Sequence, residues 1–436
     1  MPLADPESFV FHRRLTRRLP VAVRGEGAFL IDAEGRRYLD AAGGAMVASL
    51  GHDLQDVADA VREEIARLGY VNGTQFTHRS VEELAAELGE VLPYPLRHSY
   101  FLSSGSEAIE AAVKLARQLW VERGLAGKWK VISRVPSYHG NTLAALALSG
   151  REHYRRVYGP LLTSFPRIPA PDPYRHPDSP ASTGTALEEA ILREGPETVA
   201  AFLFEPIGGS STGATVPTAE YVRTVFETCR RHGVLVIADE VLCGMGRTGR
   251  WFAFQHFDRV PDILVLGKGL NAGALPLSAV VTSAEIVEEL ASGSGAFNHA
   301  QTYSHHTAAC AAGLAVVRRL KRDRLVEQAA RLEPWFFGAL DRVGKLPQVG
   351  DIRGRGLLAG IELVQDRATR EPFPRAARVA ERLTERAFEH GLIVWPNVGH
   401  VDGERGDIVM LGPPLTVGTA ELEEIGSRLA RALAEV

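Results

Sequence analysis

The chain has 436 residues, 45% of them hydrophobic and 23% charged, the proportions of a folded soluble protein with core enough for two or three domains. A formal net charge of −4 excludes the electrostatic footprint of a nucleic-acid binder, and no run of eighteen apolar residues is present to span a membrane. The three cysteines, Cys229, Cys243 and Cys310, are odd in number and lack CxxC spacing, which argues against a disulfide framework or a zinc site and fits a reducing cytoplasm.

The opening segment MPLADPESFVFHRRLTRRLP has no apolar core of signal-peptide length, so a soluble, unprocessed chain is expected. Its arginines Arg13, Arg14, Arg17 and Arg18 read as solvated surface. Ala28 to Asp32 and Arg37 to Asp40 alternate around Ala33-Glu34-Gly35, a hairpin with glycine in the turn. Helical spacing follows from Leu54 to Leu68, and Ser80 with Glu83 predicts a capping box for a helix ending near Val91. A strand at Tyr100 to Leu102 runs into Ser103-Ser104-Gly105-Ser106, beyond which Ile109, Val113, Ala116 and Trp120 recur at helical spacing. Lys130 to Val135 is the next strand and ends at Ser137-Tyr138-His139-Gly140-Asn141. The prolines between Pro169 and Pro180 mark an irregular loop. Val199 to Phe204 is a continuous apolar strand ending at Glu205-Pro206, and a helix from Thr218 to Arg231 follows. After Gly273 come a strand at Leu277 to Thr282, a short helix at Ala284 to Leu290, a small-residue helix from near Thr307 and a charged helical region from Val317. Two strand-like runs surround Gly354-Arg355-Gly356, and the chain closes with a helix at Ala376 to His390, a strand at Ile408 to Leu411 and a helix at Ala420 to Leu433.

The stretch from His232 to Gly273 organises the rest. Its apolar run Val234 to Ala238 delivers Asp239-Glu240, and Ile263 to Leu266 delivers Gly267-Lys268-Gly269. In an open parallel sheet the ligand crevice lies at the carboxyl ends of the strands, so a carboxylate and an amine face one cleft. That pairing suits pyridoxal phosphate, which needs a lysine amine for its aldehyde and a carboxylate to keep its pyridine nitrogen protonated. Ser104-Gly105-Ser106 at a helix N-terminus offers backbone N–H groups to a phosphate, although a plain serine cap accounts for the same residues equally well. Tyr138 supplies an aromatic face at a strand end.

Asp239-Glu240-Val241, the glycine-rich Gly244 to Gly249, Asp262 and Gly267-Lys268 together resemble the signature of the class III aminotransferases, the ω-transaminase branch of the fold-type I enzymes, and the likeness runs from about Val21 to the C-terminus. The resemblance implies an α/β fold: a large, mostly parallel sheet domain over residues 71–320, and a smaller α+β domain built from both chain ends, 1–70 and 321–436. It implies pyridoxal 5'-phosphate carried on Lys268, with Asp239 at the ring nitrogen, Tyr138 and Val241 on the two ring faces, and Ser104, Gly105 and Ser106 at the phosphate. His139 is a further contact, Glu205 sits beside the ring where it can pair with a movable arginine, and Thr302 reaches the phosphate of a neighbouring subunit. A cytoplasmic homodimer acting on small amine, amino acid and keto acid substrates follows, with transamination as the default reaction and aminomutase or decarboxylase chemistry as alternatives at the same site.

Gly244-Met245-Gly246-Arg247-Thr248-Gly249 also satisfies the GxGxxG of dinucleotide-binding oxidoreductases, but Asp239 to Cys243 separate it from its strand and no helical stripe follows. Adjacent His305 and His306 lack the three or four convergent ligands a metal requires. The sequence departs from its relatives at the substrate. Many members carry an arginine shortly before the C-terminal Pro-Pro-Leu or after the Gly-Leu-Ile-Val run; here Met410 and Trp395 stand at those places. Either Arg405 swings in from the polar run Asp402 to Asp407, or the donor has no α-carboxylate to grip. The favoured expectation is an ω-amino acid or primary amine as donor with a small keto acid such as pyruvate as acceptor, and Arg405 as a solvated loop charge.

Overall fold

Three short strands open the described chain, residues 8–436 of a computed structural model: β1 (Ala22–Glu26), β2 (Phe29–Asp32) and β3 (Arg37–Asp40). Residues 1–7, which begin the first predicted segment, lie outside the described residues. The β2–β3 turn is set by Asp32, whose Oδ1 accepts from the Glu34 and Arg36 N–H groups at 3.1 and 2.8 Å, and by Gly35 at φ 80°, a conformation glycine adopts without steric cost. β1 carries no alternating apolar face and is largely exposed, so periodicity did not reveal it.

The large sheet takes the next seven strands: β4 (Leu96–Leu102), β5 (Lys130–Val135), β6 (Arg167–Pro169), β7 (Val199–Phe204), β8 (Leu235–Asp239), β9 (Ile263–Leu266) and β10 (Ser278–Ser283). Their order is β4-β10-β9-β8-β7-β5-β6. β5 to β9 run parallel, and β10 alone is reversed, antiparallel to both β9 and β4. Every residue of β7, β8, β9 and β10 is buried. Burial on both faces is why these strands read as continuous apolar runs rather than alternating ones. The helix Gly105–Glu122 packs Ala108, Ala112, Leu115 and Leu119 into one core beneath the sheet. The helix Ala219–His232 packs Tyr221, Val222 and Val225 into another; it is capped by the Thr218 side chain and released by Gly233 at φ 58°.

The C-terminal part adds β11 (Val349–Arg355), β12 (Leu358–Leu363), β13 (Leu392–Ile393), β14 (Trp395–Val398) and β15 (Asp407–Leu411). β11-β12-β15-β14 form an antiparallel sheet, while β13 crosses to pair in parallel with β3. The two chain ends are thereby joined in one four-stranded sheet.

Two local expectations are corrected. The helix Arg79–Gly89 is capped by His78, not by a Ser80–Glu83 box: His78 Nε2 donates to the His305 carbonyl at 2.6 Å, which leaves Nδ1 free to accept from the Val81 N–H at 3.3 Å, and Ser80 lies buried inside the first turn. The helix expected from Ala376 begins at Val379, because Arg375–Ala377 form a 3-10 turn that ends with Arg378 in the left-handed region.

Candidate active site

The carboxyl edge of the large sheet gathers residues from five strands. β4 hands over to the helix beginning at Gly105, β5 leads to Tyr138 and His139, β7 to Glu205 and β9 to Lys268, while β8 ends on Asp239 itself. One pocket is walled by Ser106, Tyr138, Glu205, Asp239, Val241 and Lys268, with the Gly105 backbone at its edge. This is the crevice position that an open parallel sheet prescribes.

Asp239 and His139 are both buried, and the His139 Nδ1–H donates to Asp239 Oδ2 at 2.7 Å. Asp239 Oδ1 accepts from the Val241 N–H at 3.0 Å. Each carboxylate oxygen has two lone pairs, so each keeps one acceptor position open beyond these two bonds, and a third group in the pocket can use it. Glu205 accepts from the Gly209 N–H at 3.1 Å through Oε1, while its buried Oε2 and the buried His139 Nε2 have no hydrogen-bond partner among the described residues. Burial pushes the Glu205 carboxyl above its ordinary range. No arginine pairs with that carboxylate among the described residues; Arg134 donates instead to the Glu205 backbone carbonyl at 2.7 Å.

Lys268 is held in an uncommon backbone conformation, φ 42°, of the kind that persists where surrounding structure imposes it. Its flanking glycines explain the imposition: a Cβ on Gly267 would stand 3.2 Å from Val241 Cγ1, and one on Gly269 would stand 3.0 Å from Met245 Cβ. Desolvation lowers the Lys268 ammonium to about 8 against the opposing pull of Asp239 and Glu205. Such an amine gives up its proton near neutrality, as a nucleophile or base requires.

The other acid of the pair turns away. Glu240 is fully buried, its oxygens accepting from the Ala253 and Phe254 N–H groups at 2.6 and 2.8 Å. It ties the glycine-rich loop to the 3-10 turn Ala253–Phe257 and leaves the pocket to Asp239.

At the opposite end, Ser104 is exposed and stands outside the pocket wall; its hydroxyl accepts from the Glu107 N–H at 3.3 Å, completing a capping box. Ser106 Oγ accepts from the Asn141 N–H at 3.0 Å. A Cβ on Gly140 would lie 2.5 Å from that oxygen, so glycine is what lets the loop close on the helix start. Thr302 does not reach this pocket. It is exposed, in a surface hollow shared with Tyr70, Asn72 and Thr74.

Sequence comparison decides the family. The class-III aminotransferase model matches residues 11–433. The chain belongs to the class III aminotransferases. It is 38% identical over 98% of each chain to the uncharacterized aminotransferase YodT of Bacillus subtilis, and 33% identical to the putrescine–pyruvate aminotransferase of Pseudomonas aeruginosa over 93% of this chain and 88% of that one. Among solved structures it superposes with a TM-score of 0.92 on an (S)-enantioselective ω-transaminase from Thermomicrobium roseum, at 35% identity over 99% and 97% of the two chains. A thermostable ω-transaminase mutant from Pseudomonas jessenii gives 0.91 at 35%, with the same coverage.

This aminotransferase is therefore a pyridoxal-phosphate enzyme, and its residues fit that group. Tyr138 and Val241 both wall the pocket, the helix start at Gly105 and Ser106 offers its free N–H groups, and buried acceptor capacity remains on Asp239. His139 was expected as a contact, but two side-chain arrangements around the aminotransferase pocket were not foreseen. His139 is the buried hydrogen-bond partner of Asp239. Arg151 lies over the Tyr138 ring at 4.4 Å and donates to Ser210, which lines the pocket. No periodicity marks Arg151; it arrives because Gly150 tucks against the end of β5, where a Cβ would meet the Arg134 carbonyl at 2.8 Å. Arg405, by contrast, is ion-paired at the surface with Asp402 and Glu371 at 2.7 and 2.8 Å. Met410 is buried within β15. Among the described residues no group of three metal ligands forms, and no helix is long and apolar enough to cross a membrane.

Proposed function

We propose that this aminotransferase takes its amino group from a primary amine or ω-amino acid and gives it to a small keto acid such as pyruvate. The observation that carries the donor half is the C-terminal side of the site: Met410 is sealed in a strand and Arg405 is neutralised by two carboxylates, so neither offers an α-amino acid the bidentate grip its carboxylate needs. The relative named for putrescine and pyruvate supports the same pairing.

When bound, the cofactor supplies an electron sink that stabilises a carbanion next to the reacting nitrogen. Lys268 holds the cofactor at rest and then, as a free amine of lowered basicity, moves the proton at the substrate carbon. Asp239, steadied by His139, holds the ring nitrogen charged. Tyr138 and Val241 would orient the ring, the Gly105 and Ser106 N–H groups would receive the phosphate, and Glu205, on the same pocket wall, would face the bound group. Ser104 contributes through the cap that fixes the helix start. Thr302, exposed on the surface, completes the phosphate site of a second copy, which makes the working unit a homodimer. Three free, buried cysteines support a reducing cytoplasmic setting. We divide the chain into residues 71–320 as the cofactor domain and 1–70 with 321–436 as the smaller domain, the joining of β13 to β3 supporting that assignment.

The cofactor's linkage to Lys268 should make the holoenzyme yellow, and mixing it with single donors, without any keto acid, tests the proposal. Loss of the yellow band is expected with ω-amines and ω-amino acids. Rapid loss with glutamate or aspartate and none with ω-amines would overturn the donor assignment.

A further inference from the structure

Arg151 differs from the arginines around it in what compensates its charge. Arg156 pairs with Glu404 and Arg167 with Glu152, at 2.8 and 3.0 Å. Arg151 has no carboxylate within ion-pair distance among the described residues. Its Nε donates to Ser211 Oγ at 3.0 Å, its Nη2 to Ser210 Oγ, and the Tyr154 hydroxyl is within its reach. All three partners are neutral. The guanidinium carbon lies over the Tyr138 ring, 4.4 Å from its centroid, and Tyr138 and Ser210 are both walls of the Lys268 pocket.

Holding a cation there has a cost. Burial lowers the Arg151 guanidinium from its ordinary range, and its charge is close enough to depress Lys268 as well. A protein that merely needed to pack Tyr138 could do so with an apolar side chain and avoid desolvating a charge. The two serine acceptors and the cation–π contact with Tyr138 keep the fork in one orientation, and neutral acceptors leave it formally positive. The site thus retains an oriented cation without an ion-paired carboxylate, beside a pocket that holds Asp239, Glu205 and Lys268.

We infer that Arg151 receives the carboxylate of the keto-acid acceptor, serving as the specificity residue for that half of the reaction in place of a C-terminal arginine. The inference rests on the amine-to-keto-acid reading above. It also separates a keto acid from a primary-amine donor by charge: the acceptor's carboxylate is drawn to Arg151, whereas an amine that carries no carboxylate is not. Arg151 therefore selects a small monocarboxylate in one half-reaction and gives a primary amine nothing to bind in the other.

The test measures the two half-reactions separately in the wild type, Arg151→Met and Arg151→Lys, and titrates oxamate, an unreactive carboxylate, into the pyridoxamine-phosphate-loaded enzyme by calorimetry. Losing a hydrogen bond to a charged group corresponds to about ten- to hundredfold in affinity. Arg151→Met should therefore lose at least about tenfold more in the pyruvate half-reaction, through its half-saturating concentration, than in the amine half-reaction. Oxamate binding should weaken in parallel, be partly restored by lysine and be unaffected by Arg405→Ala. In the wild type alone, oxamate should bind more tightly than its neutral amide. Equal losses in both half-reactions, or equal binding of oxamate and its amide, would overturn the inference and leave Arg151 a support for Tyr138. A wild type that fails the amine half-reaction yet binds oxamate through Arg151 would instead overturn only the donor assignment.

Discussion

His139 and Asp239 form a buried pair, 2.7 Å between Nδ1 and Oδ2, at the carboxyl ends of β5 and β8, with β7 between those strands. The imidazole fixes one oxygen of the carboxylate while the Val241 N–H fixes the other, so Asp239 points into the pocket without rotamer freedom. Asp239→Asn should keep the cofactor and lose on the order of a hundredfold or more in turnover, since an amide cannot hold the ring nitrogen charged. His139→Phe removes one bond to a charged group, about 1.5–3 kcal/mol, and should lose about ten- to hundredfold. Steady-state kinetics on both variants checks the order; near-normal turnover in Asp239→Asn would remove the carboxylate from this role.

Lys268 gives the reaction with its cofactor a pH dependence. The neutral amine is the nucleophile, and burial brings the ammonium down to about 8. Below that value the protonated form dominates and above it the neutral form does, so the rate at which the chain stripped of cofactor regains its yellow band should rise with pH around a midpoint of about 8. Stopped-flow mixing with pyridoxal phosphate measures it. A midpoint above 10 would mean that the amine is solvated as an ordinary surface lysine.

Glu240 predicts a structural phenotype. Burial raises its carboxyl to about 8 although two backbone N–H groups favour the charged form. The folded chain therefore holds a proton between the unfolded value of 4.5 and about 8, and this contribution to stability falls as pH rises through that window. Glu240→Gln should flatten that decline in denaturant titrations. It should also cost about 1–3 kcal/mol, because one of the Ala253 and Phe254 N–H groups loses its acceptor. An unchanged pH profile would contradict the assignment.

How much of this was visible in the chain itself depended on whether local signals and tertiary contacts coincided. β7, β8 and β9 are buried on both faces, so their apolar runs stood out, and each ends within two residues of Glu205, Asp239 or Lys268. Ser80 shows the opposite case: its capping signal was overridden by His78, whose ring is oriented by the distant His305 carbonyl. Arg151 was illegible for a related reason. Its proximity to Tyr138 comes from the close approach of Gly150 to β5 and from serines sixty residues onward, and no spacing rule encodes such contacts. Arg13, expected as plain surface, donates to Tyr154 near the same wall.

The shared-site proposal predicts complementation. Lys268→Ala and Thr302→Ala should each be deficient alone, the second through weakened cofactor retention. Unfolding and refolding them together should yield hybrid dimers with one site carrying both lesions and one carrying neither. Recovery toward one quarter of wild-type activity, by random pairing with one good site in half the dimers, is the expected order; no recovery, with an active monomer in sedimentation, would contradict it.

Borohydride reduction followed by peptide mass mapping tests the central claim most directly. The wild type should lose its yellow band and carry the reduced cofactor on the peptide containing Lys268, while Lys268→Ala should carry none. Label on another lysine in either protein, or a yellow Lys268→Ala that borohydride still fixes to the chain, would contradict the account.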